Sequence, residues 1–197
     1  IVIFTSDNGG AGYVGLPDLN KPYRGWKISF FEGGIHTPYF IRWPERIPAG
    51  SQYDSAVAHI DIFSTALAAA GVELPEDRTI DGVDVLDYAV TRPRPLQRPL
   101  FWRTGGYKVV QQDGWKLQLQ EQDGNSWLYN LNVDPTEQTN LSRSHPDRLA
   151  EMKALLYSLD KQMVDPLWPA LVETPIAIDY TIDKLPETDY ETIIWTN

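Results

Sequence analysis

The sequence predicts an α/β domain, a mixed sheet covered by helices and only partly present, followed by a small subdomain of antiparallel strands and a helix. Three observations support this fold class: an apolar run at 1–4, an apolar stretch with helical spacing at 60–70, and glycine-punctuated strands from 101 to 132. The hydrophobic content of 42% is typical of a globular protein. The predicted parts are a large domain, a small subdomain and an extended tail, at 1–95, 96–160 and 161–197.

The opening residues 1–4 (IVIF) contain no polar alternation. Such a run predicts a strand buried on both faces, as in a parallel sheet covered by helices. Ser-Asp-Asn-Gly-Gly follows at 6–10, at the strand end where open α/β sheets bind ligands. The Asp7 carboxylate and the Asn8 carboxamide offer oxygen ligands, which favours a hard cation such as Ca²⁺. An ordinary Asx turn without a metal is the alternative interpretation.

A basic and aromatic stretch follows at 21–44. Lys27 lies between apolar neighbours and precedes a Glu-Gly-Gly turn, so it is a candidate anion-binding residue. A solvated surface lysine is the alternative, because most lysines are exposed. The segment Thr37 to Trp43 predicts a second strand, which Pro44 ends.

The remaining elements follow from spacing and punctuation. Residues 60–70 predict a helix that stops at Gly71, and the proline-rich segment 91–99 predicts a linker. Residues 146–159 predict an amphipathic helix whose apolar face packs on the strands of the small subdomain. The tail from 160 onward contains several prolines and acids and predicts no regular element, so we expect it to extend over the larger domain.

Composition excludes several classes of function. The formal net charge of −10 argues against nucleic acid or an anionic membrane as a partner. No apolar run approaches the ~18 residues that a membrane-spanning helix needs. The sequence contains no cysteine, so disulfides, thiolate metal sites and a cysteine nucleophile are excluded within it.

An ordered series of short motifs resembles the sulfatase family. The residues that carry the resemblance are Ser6-Asp7-Asn8-Gly9, Gly25-Trp26-Lys27, Phe31-Glu32-Gly33-Gly34-Ile35, 59–71 (HIDIFSTALAAAG), Asp81-Gly82-Val83-Asp84, Asp113-Gly114-Trp115-Lys116-Leu117, Leu128-Tyr129-Asn130-Leu131 and Asp134-Pro135 with Glu137 and Asn140-Leu141. The resemblance implies an alkaline-phosphatase-like α/β fold, Ca²⁺ beside a formylglycine nucleophile, and hydrolysis of sulfate esters. It also implies a periplasmic, secreted or lysosomal location.

Site residues are carried over from this resemblance position by position. Asp7 and Asn8 match the family's second pair of calcium ligands, and Lys27 matches a lysine that contacts the sulfate group. His36 stands where the family usually has arginine after Glu-Gly-Gly-Ile. We therefore treat His36 as a candidate catalytic or substrate-orienting residue, with a structural, hydrogen-bonded histidine as the alternative.

Two features of the family's amino-terminal region are missing from the sequence. It has no cysteine, and no serine near its amino terminus stands in a Cys/Ser-x-Pro/Ala-x-Arg motif that could become formylglycine; the first acidic calcium pair is also absent. The sequence therefore resembles the carboxyl-terminal part of a sulfatase, with an incomplete calcium site. We expect this chain to be inactive by itself, and an amino-terminal half or a second copy to pack against residues 1–45.

Two other functions are left open. A phosphodiesterase or phosphonate hydrolase of the same superfamily would generally carry Asp-His where this sequence has Asp7-Asn8, because a transition metal favours imidazole. A non-catalytic remnant or binding module would use the aromatic residues to hold a carbohydrate or a partner. For the sulfatase interpretation, the ligand is a sulfate-ester small molecule or carbohydrate.

Overall fold

The computed structural model describes residues 1–16, 18–181 and 184–196. The chain forms two compact units: unit 1 comprises 1–7 and 39–98, and unit 2 comprises 8–38 and 99–197. The change of unit near residue 98 lies within the predicted linker region. Residues 8–38, which the sequence places in the larger domain, group instead with the carboxyl-terminal segments.

Unit 1 contains a two-stranded ribbon. Strands β1 (Val2–Thr5) and β2 (Tyr39–Arg42) pair antiparallel. The predicted burial of β1 in a parallel sheet is not found: β2 is its one pairing strand in the described part of the chain. Val2 is 59% exposed, Phe4 64% and Phe40 61%. The strand is therefore predicted correctly, but its apolar side chains are largely uncovered in this chain.

Helix α2 (Asp61–Ala70) agrees with the predicted helix of unit 1. It ends where Gly71 adopts a left-handed conformation at φ 69°, and the Gly71 N–H donates to Leu67 and Ala68 carbonyls. The buried Asp61 carboxylate accepts from the Ala58 N–H at 2.8 Å and pairs with Arg98 at 2.5 Å. A π-helical turn (Asp87–Thr91) follows later in the unit.

Unit 2 is built on a four-stranded antiparallel sheet in the order β3-β4-β5-β6. One face packs against helix α3, as the amphipathic pattern predicted, and the buried side chains of this core are Val110, Leu117, Leu119, Leu128, Met152 and Leu156. The elements are β3 (Leu100–Thr104), β4 (Tyr107–Gln112), β5 (Trp115–Gln120), β6 (Ser126–Asn130) and α3 (Pro146–Asp160).

The predicted tail contains a hairpin, so the expectation of no regular element there was wrong. Strands β7 (Glu173–Ala177) and β8 (Thr192–Thr196) pair antiparallel. The β-branched residues of both strands favour this conformation, although prolines and acids surround them. Ile178 and Ile193 join Phe31 and other aromatic residues in a second core of unit 2. The tail is thus part of the packing of unit 2.

Unit 2 also contains a 3₁₀ turn (Gly12–Val14) and the single turn α1 (Glu32–Ile35). Across the described ranges, none of the helices combines the length and apolar character that crossing a bilayer requires.

Candidate functional site

The Asp7-Asn8 pair follows β1 directly. Asp7 is exposed and belongs to unit 1, whereas Asn8 is half-buried and opens unit 2. The backbone immediately after Asn8 is fixed, because the Gly9 N–H donates to the Gly34 carbonyl at 2.8 Å. Asn8 is therefore tied to the segment that precedes His36.

The Asn8 segment is also tied to the Lys27 segment. The Lys27 N–H donates to the Gly10 carbonyl at 3.0 Å. The Asn20 side chain links the two backbones, since its Oδ1 accepts from the Gly10 N–H at 2.7 Å and its Nδ2 donates to the Gly25 carbonyl at 3.1 Å. Three predicted site residues, Asn8, Lys27 and His36, are thus carried on segments that are hydrogen-bonded to one another within unit 2.

Close backbone packing explains why glycines occupy this region. A Cβ on Gly9 would lie 1.8 Å from the Gly33 carbonyl oxygen, and a Cβ on Gly34 would lie 2.1 Å from the Ser29 carbonyl oxygen. Because real Cβ atoms do not approach backbone atoms so closely, any larger residue would push the two segments apart. The glycines of both motifs permit the contact that brings the segments together.

Lys27 has a half-buried side chain and follows the buried Trp26. Its backbone is fixed by the bond to Gly10, and the preceding residue is held by reciprocal bonds with Ser29, whose hydroxyl donates to the Trp26 carbonyl at 2.8 Å. The lysine therefore projects from a well-fixed turn. Its contact with an anion stays a prediction.

His36 is oriented by two contacts. Its Nδ1 lies 2.9 Å from Glu32 Oε2, and its ring stacks on Tyr23 with centroids 4.5 Å apart and an interplanar angle of 28°. An ionised carboxylate can only accept, which assigns the hydrogen to Nδ1. The side chain is 52% exposed, so the other ring nitrogen, Nε2, remains available to a ligand.

Glu32 belongs to a buried ionic network beneath His36. Lys116 Nζ lies 2.7 Å from Glu32 Oε1 and 2.9 Å from Glu137 Oε1, and the Glu32 N–H donates to Glu137 Oε2 at 2.6 Å. Burial opposes ionisation of Glu32, but the Lys116 ammonium and the bond to His36 prevail and lower its pKa to about 2. Burial raises the pKa of Glu137, against the opposing effect of Lys116.

Neutral groups extend this network through the sheet. Gln118 Nε2 donates to Glu137 Oε1 at 3.0 Å, and the Tyr107 hydroxyl donates to Gln118 Oε1. The Phe30 N–H donates to the Tyr107 hydroxyl at 3.1 Å, and burial raises the pKa of that phenol well above its ordinary value. The buried side chains of Glu32, Tyr107, Lys116, Gln118 and Glu137 are therefore joined by direct contacts.

Arg24 forms a second ionic cluster next to the first. Its guanidinium makes two bonds to Asp179, at 2.6 and 2.7 Å, a further ion pair with Glu191, and a bond to the Tyr129 hydroxyl at 3.1 Å. Burial opposes the charge, yet the bonds to Asp179 and Glu191 raise the pKa of Arg24 above its ordinary value. The guanidinium also lies over the Phe31 ring, 4.9 Å from its centroid.

Sequence reasoning assigned no role to the members of these clusters, Arg24, Glu32, Lys116 and Glu137. One signal was available for the first network: Glu32 and His36 are four residues apart, the spacing at which helical side chains meet. Nothing in the spacing of Lys116 and Glu137, on separate segments, indicates that they share a partner.

The metal prediction can be compared with the available donors. Among residues 1–16, 18–181 and 184–196, no three His, Asp or Glu side chains group as a metal site would. The carboxylate of Asp7 and the amide oxygen of Asn8 suit Ca²⁺ chemically, but Ca²⁺ takes six to eight oxygen ligands. These two residues fit a calcium site as part of its ligand set.

Comparisons with known proteins agree with the motif series. The Sulfatase family model matches residues 1–72. N-acetylgalactosamine-6-sulfatase of Sus scrofa is 42% identical over 107 residues, which are 53% of this chain and 20% of the relative. N-acetylgalactosamine-6-O-sulfatase of Bacteroides thetaiotaomicron is 30% identical over 184 residues, covering 81% of this chain and 36% of the relative. The chain thus spans between a fifth and about a third of the length of these relatives.

Solved structures share the fold. The crystal structure of Ps i-CgsB in complex with k-i-k-neocarrahexaose superposes with a TM-score of 0.72 at 24% identity, over 84% of this chain and 37% of the other. This likeness confirms the predicted sulfatase α/β class with its antiparallel subdomain. The chain belongs to the sulfatase family and corresponds to the carboxyl-terminal part of its members.

Proposed function

We propose that the protein containing this chain is a calcium-dependent sulfatase that hydrolyses sulfate esters of carbohydrates. The observation that carries the proposal is the hydrogen bonding of the Asn8 segment to the segments of Lys27 and His36 through Gly9 and Gly10. The names of the relatives, two N-acetylgalactosamine sulfatases, and the oligosaccharide held by Ps i-CgsB support a sulfated sugar as the substrate class.

Lys27 has the clearest role in this proposal. Its ammonium would lie against the sulfate group and neutralise negative charge on the sulfuryl oxygens in the transition state. Asp7 and Asn8 would supply oxygen ligands to Ca²⁺, which when bound polarises a sulfuryl oxygen. The nucleophile, expected to be formylglycine, would come from polypeptide outside this chain, because the chain has no cysteine and no serine in the family's motif near its amino terminus.

His36 is proposed to face the substrate. Glu32 holds the hydrogen on Nδ1, and the stacked Tyr23 ring fixes the plane of the imidazole. Nε2 is then positioned to bond a substrate oxygen, as an acceptor when the ring is neutral and as a donor when it is charged. Lys116 acts on this residue indirectly, since it fixes the carboxylate that orients the imidazole.

The exposed ribbon of unit 1 supports a further part of the proposal. Val2, Phe4 and Phe40 expose apolar side chains that a folded protein normally covers. We assign this cover to the amino-terminal half of the same sulfatase, in line with the share of each relative that this chain matches. A second copy of the chain is the alternative occupant.

The experiment is a lysine substitution in the full-length protein. Lys27→Ala should lower kcat/KM for N-acetylgalactosamine 6-sulfate by about a hundredfold or more, with little change in Tm, as expected for loss of a transition-state contact. Lys21→Ala is the matched control, because Lys21 lies in the same loop region but is 71% exposed and pairs with Asp18 at the surface. Retained turnover together with a lowered Tm in Lys27→Ala would show that the lysine is structural.

A further inference from the structure

A cavity of about 630 Å³ lies in unit 2 and is lined by none of the predicted site residues. Its walls come from the turn between β5 and β6, the beginning of β6, the segment before α3 with the first turn of that helix, and the start of β8. A volume of this size falls within the range of about 300–1,000 Å³ found for small-molecule and cofactor sites. The cavity is large enough for a sugar residue and part of its neighbour.

The chemistry of the walls is polar with one aromatic surface. Hydroxyl groups come from Ser126, Ser142 and Thr192. Tyr190 is 38% exposed, and its ring is held edge-to-face by Tyr180 with centroids 6.4 Å apart. Hydroxyls that bond to a polyol, next to a fixed aromatic ring that covers its apolar C–H face, form the lining that carbohydrate recognition requires.

The described walls of the cavity contain one basic side chain, Arg143, and one acidic side chain, Glu191. Arg143 is exposed. Glu191, the acidic residue that the described lining contains, is already engaged: Arg24 pairs with one carboxylate oxygen, and Trp127 Nε1 donates to the other at 3.1 Å. The cavity therefore offers an anionic group one cation, Arg143, beside a carboxylate that other donors already hold.

The same Arg24 connects this cavity with the Lys27 segment. Its guanidinium contacts the cavity residue Glu191, and its position is three residues before Lys27 in the loop that Asn20 fixes. The Arg24 cluster therefore links the cavity to the loop of Lys27 within unit 2.

We propose that this cavity is a secondary subsite for an anionic oligosaccharide, binding sugar units beyond the one that carries the hydrolysed ester. Arg143 binds a sulfate or carboxylate group of the chain, and the Tyr190 ring packs against a sugar ring. The proposal rests on the proposed sulfatase function and deepens it, because it makes the enzyme selective for oligosaccharides over monosaccharides.

The experiment compares two substrates in the full-length enzyme: a chondroitin 6-sulfate hexasaccharide and N-acetylgalactosamine 6-sulfate. Arg143→Ala and Tyr190→Ala should each raise KM for the hexasaccharide about tenfold at unchanged kcat, which corresponds to loss of one good contact. Neither should change kcat/KM for the monosaccharide by more than about twofold. Lys161→Ala is the control, since it removes a positive charge from an exposed position at the end of α3, away from the cavity.

Equal effects on both substrates, or no effect on either, would overturn the subsite. If the wild-type enzyme turns over neither substrate, the proposed function fails, and calorimetric titration with the hexasaccharide then decides the subsite independently. About tenfold weaker hexasaccharide binding by Arg143→Ala than by wild type would support it. Identical binding by the two proteins, or equally tight binding of uncharged maltohexaose, would overturn it.

Discussion

The two faces of strand β5 are buried in different ways. Leu117 and Leu119 point toward α3 and join an apolar core, whereas the alternating residues Lys116, Gln118 and Gln120 on the other face are equally inaccessible to water. One face is covered by hydrocarbon, and the other by α1, the loop around Glu137 and the β7–β8 hairpin through ion pairs and hydrogen bonds. Alternation of polar and apolar residues in a strand therefore shows which residues share a face, but it does not show that the polar face contacts water.

The two faces should respond differently to truncation. On the apolar face, a smaller side chain loses transfer free energy and leaves a cavity, and the neighbours relax in part. On the polar face, removing a cation leaves carboxylates buried without compensation, which no small relaxation repairs. Substitutions on each face can therefore test whether water is excluded from the polar face in solution, as its contacts indicate.

The largest effect is expected from Lys116→Ala. Because Glu32 and Glu137 would both lose their ammonium partner, we expect the free energy of unfolding to fall by about 3–5 kcal/mol in urea titrations. Lys161→Ala, at an exposed position, should change it by less than about 0.5 kcal/mol. A loss under about 1 kcal/mol in Lys116→Ala would mean that water screens the network.

A somewhat smaller effect is expected from Leu156→Ala on the α3 side. Truncating this fully buried side chain should lower the free energy of unfolding by about 3 kcal/mol, because apolar burial is lost and a cavity is left behind. The adjacent Tyr157 is 40% exposed and provides the control, because Tyr157→Ala should cost less than about 1 kcal/mol. Equal losses in the two variants would contradict the packing of α3 on the sheet.

The smallest effect is expected in the pH dependence of Tm, which should differ between substitutions on the two faces of β5. The pKa of Glu32 falls from its ordinary 4.5 to about 2 on folding, so its stabilising contribution is complete above pH 4.5 and is lost as the pH falls toward 2. Thermal melts between pH 2 and 4.5 should therefore show Tm falling with pH, less steeply in Glu32→Gln. Leu156→Ala should lower Tm at every pH in this range and leave the slope of Tm against pH unchanged. If Tm of Glu32→Gln falls with pH as steeply as Tm of the wild type, other carboxylates cause the loss of stability in acid.

Sequence patterns predicted much of the fold because local periodicity determines it. The strands of the small subdomain, the apolar face of α3 and the stop of α2 at Gly71 agree with the structure. The β7–β8 hairpin was missed, because short β-branched runs among prolines and acids carry little periodic signal. Its stability comes instead from tertiary contacts of Ile178 and Ile193 with the aromatic core.

The site was predicted less completely than the fold. Asn8, Lys27 and His36 were chosen from motifs, and the bonds from Gly9 to Gly34 and from Lys27 to Gly10 place their segments together. The supporting charges were not predicted, because their partners lie far away along the sequence. Glu32 and Lys116 are 84 positions apart, and a spacing of that kind has no local pattern.

The position of Arg24 in the amino-acid order has a consequence for biosynthesis. Its carboxylate partners, Asp179 and Glu191, are 155 and 167 positions downstream, so a ribosome completes the loop of Arg24 long before it makes either acid. Until both have left the exit tunnel, that loop cannot bury its guanidinium without leaving an unpaired charge. We therefore expect a nonsense codon between α3 and Asp179 to give a polypeptide that contains every predicted site residue but leaves the Arg24 guanidinium without its carboxylate partners.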